Sequence, residues 1–147
     1  MMSLSSNSCL KRIKQRVNNA GFSEVSQERI REACLIKNFD TVAAANQLIQ
    51  EEQLKVSLEE LCEEMGHNPN ANIIINSCNK YKFETFQVER YVKKLLLGRE
   101  ELKDRCITAN IVVSNEILDN KIILAFGNPL WAFNSVRQDH LCSQEHQ

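Results

Sequence analysis

The sequence predicts an all-α fold, with two tandem small three-helix units at residues 10–53 and 56–103. A C-terminal extension, residues 104–147, follows them, and its pattern fits strand and helix equally. Three observations carry the prediction. The chain repeats at a spacing of 44 residues: Ile30, Cys34, Phe39 and Thr41 recur as Ile74, Cys78, Phe83 and Thr85, with Asp40 answered by Glu84. Apolar residues fall at helical intervals between short polar breaks. Only two Pro and four Gly occur in 147 residues, too few turns for a many-stranded sandwich. An internal period of this size points to an interaction module rather than a catalytic core.

The first unit opens with Leu10, Ile13 and Val17, one apolar stripe closed by Asn18-Asn19-Ala20-Gly21. Gly21 suits the left-handed conformation that ends a helix. Ser26 is a good N-cap for a second helix carrying Ile30, Ala33 and Cys34. Asn38-Phe39-Asp40 is the next turn, and either Asp40 or Thr41 caps a third helix with Ala44, Ala45, Leu48 and Ile49 on one face. In the second unit, Ser57 with Glu60 three residues on reads as a capping box and a helix start. Leu58, Leu61, Cys62 and Met65 form its stripe, and Gly66 ends it. Pro69 makes His67-Asn68-Pro69-Asn70 a loop. Ala71 to Asn79 is the next helix, Phe83-Glu84-Thr85 repeats the turn, and Phe86 to Leu96 is the third helix, with Gly98 as a stop or pause before Arg99 to Lys103.

Phe39 and Phe83 stand at equivalent positions and are expected to be core anchors, costing about 3–5 kcal/mol each on replacement by Ala if fully buried. In the extension, two β-branched runs, 107–113 and 121–126, leave a hairpin and a helix as nearly equal readings. Gly127-Asn128-Pro129 is a break. Trp131 and Phe133 form an apolar knot that either clasps the helical core or serves as an exposed docking peptide. The last dozen residues are polar and expected to be disordered.

A net charge of -1 disfavours a polyanionic partner, since nucleic-acid binding shows a basic footprint. The six cysteines form no C-x-x-C pair and no His stands at ligand spacing, so neither metal nor cofactor is expected. With no apolar signal core, they read as reduced thiols of an intracellular protein, cytoplasmic or nuclear. No run of 18 apolar residues spans a membrane. No phosphate loop, nucleophile elbow or H-E-x-x-H occurs, and no enzyme is expected. Cys62 and His67 lie five apart, but a helix face and a loop beyond a Gly do not suggest a catalytic pair. Glu59, Glu60, Glu63 and Glu64 read as a solvated helix face, opposite in charge to the Lys11, Arg12, Lys14 and Arg16 of the first helix.

Ala20-Gly21-Phe22 and Met65-Gly66-His67, each following a first helix, resemble the Met-Gly-aromatic loop of the ubiquitin-associated (UBA) domain and its CUE relative. The spacing Phe39, Thr41, Ala44, Ala45, Leu48, Ile49 and the terminal Leu95-Leu96 pair are similar to the family's third helix. Ala20 stands where the pattern has Met, and His67 where it has an aromatic residue. The resemblance covers residues 10–103 and implies a non-enzymatic adaptor that binds ubiquitin or polyubiquitin. It places the contact on Met65, Gly66, His67, Leu95 and Leu96 in the second unit, and on Gly21, Phe22, Leu48 and Ile49 in the first. Leu96, with Tyr91, is expected near the surface, because an isolated three-helix unit buries only one face of its third helix; the alternative is that the C-terminal extension covers this patch, with Trp131 or Phe133 packed on it. The alternative is a structural protein–protein interaction module that docks on a larger assembly without ubiquitin; nucleic-acid binding ranks third.

Overall fold

The computed structural model describes residues 2–67 and 70–145, so Asn68 and Pro69 of the expected loop, and the last two residues of the expected disordered tail, lie outside the described residues. Among the described residues there are seven helices and no strand. They are α1 (Met2–Asn19), α2 (Gln27–Ile36), α3 (Thr41–Glu64), α4 (Ala71–Lys80), α5 (Thr85–Thr108), α6 (Asn115–Leu124) and α7 (Pro129–Glu145). The all-α class is thus observed. The extension is helical as well, and the residues expected to be disordered belong to α7 up to Glu145.

The 44-residue spacing runs through three copies. The ten-residue helices α2, α4 and α6 begin at Gln27, Ala71 and Asn115. Each is capped alike: Ser26 Oγ, Asn70 Oδ1 and Ser114 Oγ accept from the backbone N–H of Arg29, Ile73 and Ile117 at 3.2, 3.1 and 3.2 Å. Each ends alike too. The N–H groups of Phe39, Phe83 and Gly127 donate back to the carbonyls of Cys34, Cys78 and Ile122 at 2.8–2.9 Å, closing the helix through a left-handed pair. Those pairs are Asn38-Phe39, Lys82-Phe83 and Phe126-Gly127, all with φ between 51 and 83°. The next helix then starts on Asp40, Glu84 or Asn128, whose side chain accepts from a first-turn N–H. Pro129 suits the first position of α7, where an amide hydrogen has no helical partner.

Two expected boundaries are absent. Ser57 lies inside α3, and Gly98 lies inside α5. A capping-box pattern marks a helix start only where something has ended the helix before it. Residues 50–56 are mostly strong helix formers, with neither Gly nor Pro among them. Leu54 and Leu58 are buried one turn apart, so continuing the helix is favourable. Gly98 stays helical because a β-carbon there would meet the Gly127 backbone of the α6–α7 turn and Ile122 of α6.

The chain divides into two compact units, Met1–Val56 and Ser57–Gln147. The core of the first is built from Cys9, Ile13 and Val17 of α1, Ile30, Ala33 and Cys34 of α2, and Ala44, Ala45 and Leu48 of α3. Arg29 bridges α2 to Glu51, at 2.8 Å, and to Glu52. In the second unit α5 packs against α4, α6 and α7. Its core includes Leu102, Cys106, Leu118, Ile122, Ala132 and Val136. Equivalent positions are buried in every copy: Ile30, Ile74 and Leu118; Cys34, Cys78 and Ile122; Leu48, Val92 and Val136. Phe39 and Phe83 are not core anchors. Phe39 is 46% exposed and Phe83 only half-buried, because the left-handed turn swings both out of the helix stripe.

Candidate interaction surface

The residues expected to touch a partner separate into two classes. Leu48, Leu95 and Leu96 are buried, which corrects the expectation of an accessible Leu96; Tyr91 is also buried. The reason is topological: α4, α6 and α7 all pack against α5, so its wide apolar surface is consumed internally. Gly21 and Gly66 are exposed, both at positive φ, and Phe22, Ile49, Met65 and His67 are half-buried. Phe22 and Ile49 pack against the first unit's core.

Gly66, His67 and Leu96 do come together, in a cleft of about 280 Å³ within the second unit. Its walls are polar. The Asp119 carboxylate, itself buried, accepts from Arg99 Nε and Asn70 Nδ2. Arg99 Nη2 also donates to Asn115 Oδ1 at 3.1 Å, and His67 Nε2 lies 3.5 Å from Glu100 Oε1. Asn70 therefore caps α4 and holds Asp119 of α6, which in turn holds Arg99 of α5. This is a satisfied network joining three helices, not an apolar docking pocket.

A different surface is apolar and exposed. Val42, Phe86 and Leu130 occupy the second residue of α3, α5 and α7, and they are 46%, 69% and 52% exposed. Leu35 and Ile36 at the end of α2, and Leu124, Phe126 and Trp131 around the α6–α7 turn, are exposed beside them in sequence. Trp131 thus does not clasp the core, whereas Phe133 packs against it. In each unit, exposed apolar side chains gather where a short helix turns into a long one.

At the α4–α5 edge the Tyr81 and Tyr91 rings meet edge-on, with centroids 5.4 Å apart. Lys80 Nζ sits over Tyr81, Tyr91 and Phe126 at 5.8, 5.4 and 4.5 Å from their centroids, within cation–π range. An open cleft of about 500 Å³ adjoins them, lined by Tyr81, Gln87, Arg90, Tyr91 and Lys94. The sequence reading missed this site because its residues come from a helix end and one helix face, with no contiguous motif. The spacing of Gln87, Arg90, Tyr91 and Lys94 at i, i+3, i+4 and i+7 was the available signal.

Five thiols are buried and Cys142 is exposed. Burial pushes the Cys62 and Cys106 thiols up, opposite to the activation that a nucleophile needs. Burial also raises Cys34, to about 11, helped by Cys9 Sγ at 3.3 Å. A thiol whose pKa is higher folded than unfolded stabilises fully below its unfolded value of 9.0, and that contribution is lost as pH rises through about 11. Stability should therefore fall more steeply between those pH values in the wild type than in Cys34→Ala, measured by urea unfolding. Under native conditions near neutral pH, a thiol reagent should label Cys142 rapidly and the five buried cysteines only on unfolding.

Among the described residues no group of three or more His, Cys, Asp or Glu is placed to hold a metal ion, and no helix is long and apolar enough to cross a membrane. Comparison with known proteins finds no matching family model, no matching curated protein and no matching solved structure.

Proposed function

We propose that this chain is a non-enzymatic adaptor, an interaction module of repeated helical copies that docks on another protein through the exposed apolar residues at its short-to-long helix turns. One observation carries the reading: Val42, Phe86 and Leu130 are all large, apolar and exposed at one equivalent position of the 44-residue repeat. Exposure of single apolar residues is ordinary, but its recurrence at matched positions, beside other exposed apolar side chains, is the pattern of a contact surface. The triple variant Val42→Ser/Phe86→Ser/Leu130→Ser tests it. These are surface positions, so each change should alter stability by no more than about 0.5 kcal/mol. Proteins retained by the tagged chain, quantified by mass spectrometry, should fall about tenfold or more in the variant. An unchanged retained set, with circular dichroism equal to wild type, overturns the reading.

Ubiquitin is a second candidate partner, favoured by the exposed Gly66 and the half-buried Met65 and His67 that follow α3. Titrating labelled ubiquitin against wild type, Met65→Ala and His67→Ala decides between the two partners. Weakened binding in both folded variants supports ubiquitin; no binding at millimolar concentration removes it.

A further inference from the structure

We propose that the cleft lined by Tyr81, Gln87, Arg90, Tyr91 and Lys94 receives an acidic segment of a partner protein, one that carries apolar side chains beside its carboxylates. The inference rests on the interaction reading above and supplies the chemistry of the partner. The cleft has two cationic side chains, two aromatic rings and an amide on its walls, and no carboxylate. A third cation, Lys80, stands over the same two tyrosines. Among the described residues no carboxylate pairs with Lys80, Arg90 or Lys94, so the positive charge around the cleft is not neutralised locally.

The like charges are brought close together on the free protein. Arg90 and Lys94 stand four apart on one helix, a like-charge spacing that weakens a helix by a few tenths of a kcal/mol. Lys94 is also confined: a β-carbon on Gly127 would lie 3.0 Å from its Cγ, so the stem packs on the α6–α7 turn. Lys80 is held by three rings. Three neighbouring cations with no carboxylate partner complement an anionic ligand.

The apolar surroundings choose the class of anion. Exposed Phe86 lies on α5 one residue before Gln87, and exposed Phe126 is the third ring under Lys80. A nucleic-acid strand would stack on the rings, but it needs a longer basic track than three residues on a chain of net charge -1. A peptide in which acids alternate with Leu or Phe matches both features.

Fluorescence anisotropy tests the proposal on the full chain. The probes are a fluorescein-labelled peptide alternating Glu with Leu and Phe, its Gln analogue, and a labelled single-stranded oligonucleotide. The acidic peptide should bind about tenfold or more tightly than the Gln analogue, and rising salt should weaken it. Arg90→Glu/Lys94→Glu should lose that binding by a similar factor while circular dichroism stays unchanged, since both side chains are exposed. Equal binding of the Gln analogue, unchanged binding in the charge-reversed variant, or tighter binding of the oligonucleotide overturns it. If the acidic peptide fails while Val42→Ser/Phe86→Ser/Leu130→Ser still abolishes partner capture, the acidic chemistry is wrong and the interaction reading stands. If capture survives that triple substitution, the reading beneath it has failed instead.

Discussion

Gly98→Ala should destabilise the second unit by about 2 kcal/mol, even though alanine is intrinsically the better helix residue by about 1 kcal/mol. A β-carbon at position 98 would lie 2.4 Å from the carbonyl oxygen of Gly127, 3.2 Å from its carbonyl carbon and 3.0 Å from Ile122 Cδ1. Two of these atoms are backbone, so no side-chain rotation relieves the clash, and α5 must separate from the α6–α7 turn. Overpacking of this kind costs about 1–3 kcal/mol, and the rigid neighbour places it at the upper end before the helix gain is deducted. Gly98→Leu should cost more and leave α6 and α7 with weakened amide-exchange protection. Urea unfolding measures the first effect and exchange rates the second. A rise in stability for Gly98→Ala, by the amount that helix propensity alone would give, would disprove the close approach. Gly66 provides the contrast: nothing lies within 4 Å of a β-carbon there, but φ is +81°, so Gly66→Ala carries backbone strain of about 1–2 kcal/mol instead.

How far this architecture could be read from the sequence is visible at those same residues. Helix type was legible wherever an apolar stripe ended at a cap or a glycine, as at Val17 to Gly21 and at Ser26. The length of α3 and α5 was not. Ser57 and Gly98 are local end signals, and what overrides them is tertiary: continuous burial of Leu54 and Leu58 in one case, helix-to-turn contact in the other. The third copy escaped notice because its identities differ, with Leu118, Ile122 and Gly127 in place of Ile, Cys and Phe. What the copies share is physical: a polar cap, two buried positions four apart, and two left-handed residues. The same limit applies to the surface. Leu96 looks available when α5 is placed in an isolated three-helix unit that buries only one of its faces, whereas Val42, Phe86 and Leu130 stand out only once all three copies are aligned.

Leu96→Ala should therefore act on stability and not on partner contact, costing about 3 kcal/mol, and Leu95→Ala should do the same. Leu95 and Leu96 are 0% and 1% exposed on the helix that α4, α6 and α7 all pack against. Removing three carbons from such a position forfeits the transfer energy of the side chain and leaves a cavity that close-packed neighbours fill only in part. For Leu96 the cavity would open behind the wall shared with Asp119 and Arg99, whose nearly buried ion pair resists rearrangement. Phe39→Ala, by comparison, removes a half-exposed ring and should cost less than about 1 kcal/mol. Urea unfolding of the three variants, with ubiquitin and acidic-peptide titrations on the folded fraction, separates the roles. Both leucine variants should lose binding only as far as they lose folded protein. If Leu96→Ala kept wild-type stability and lost ubiquitin binding, Leu96 would be a contact residue and the packing of α5 described above would be wrong.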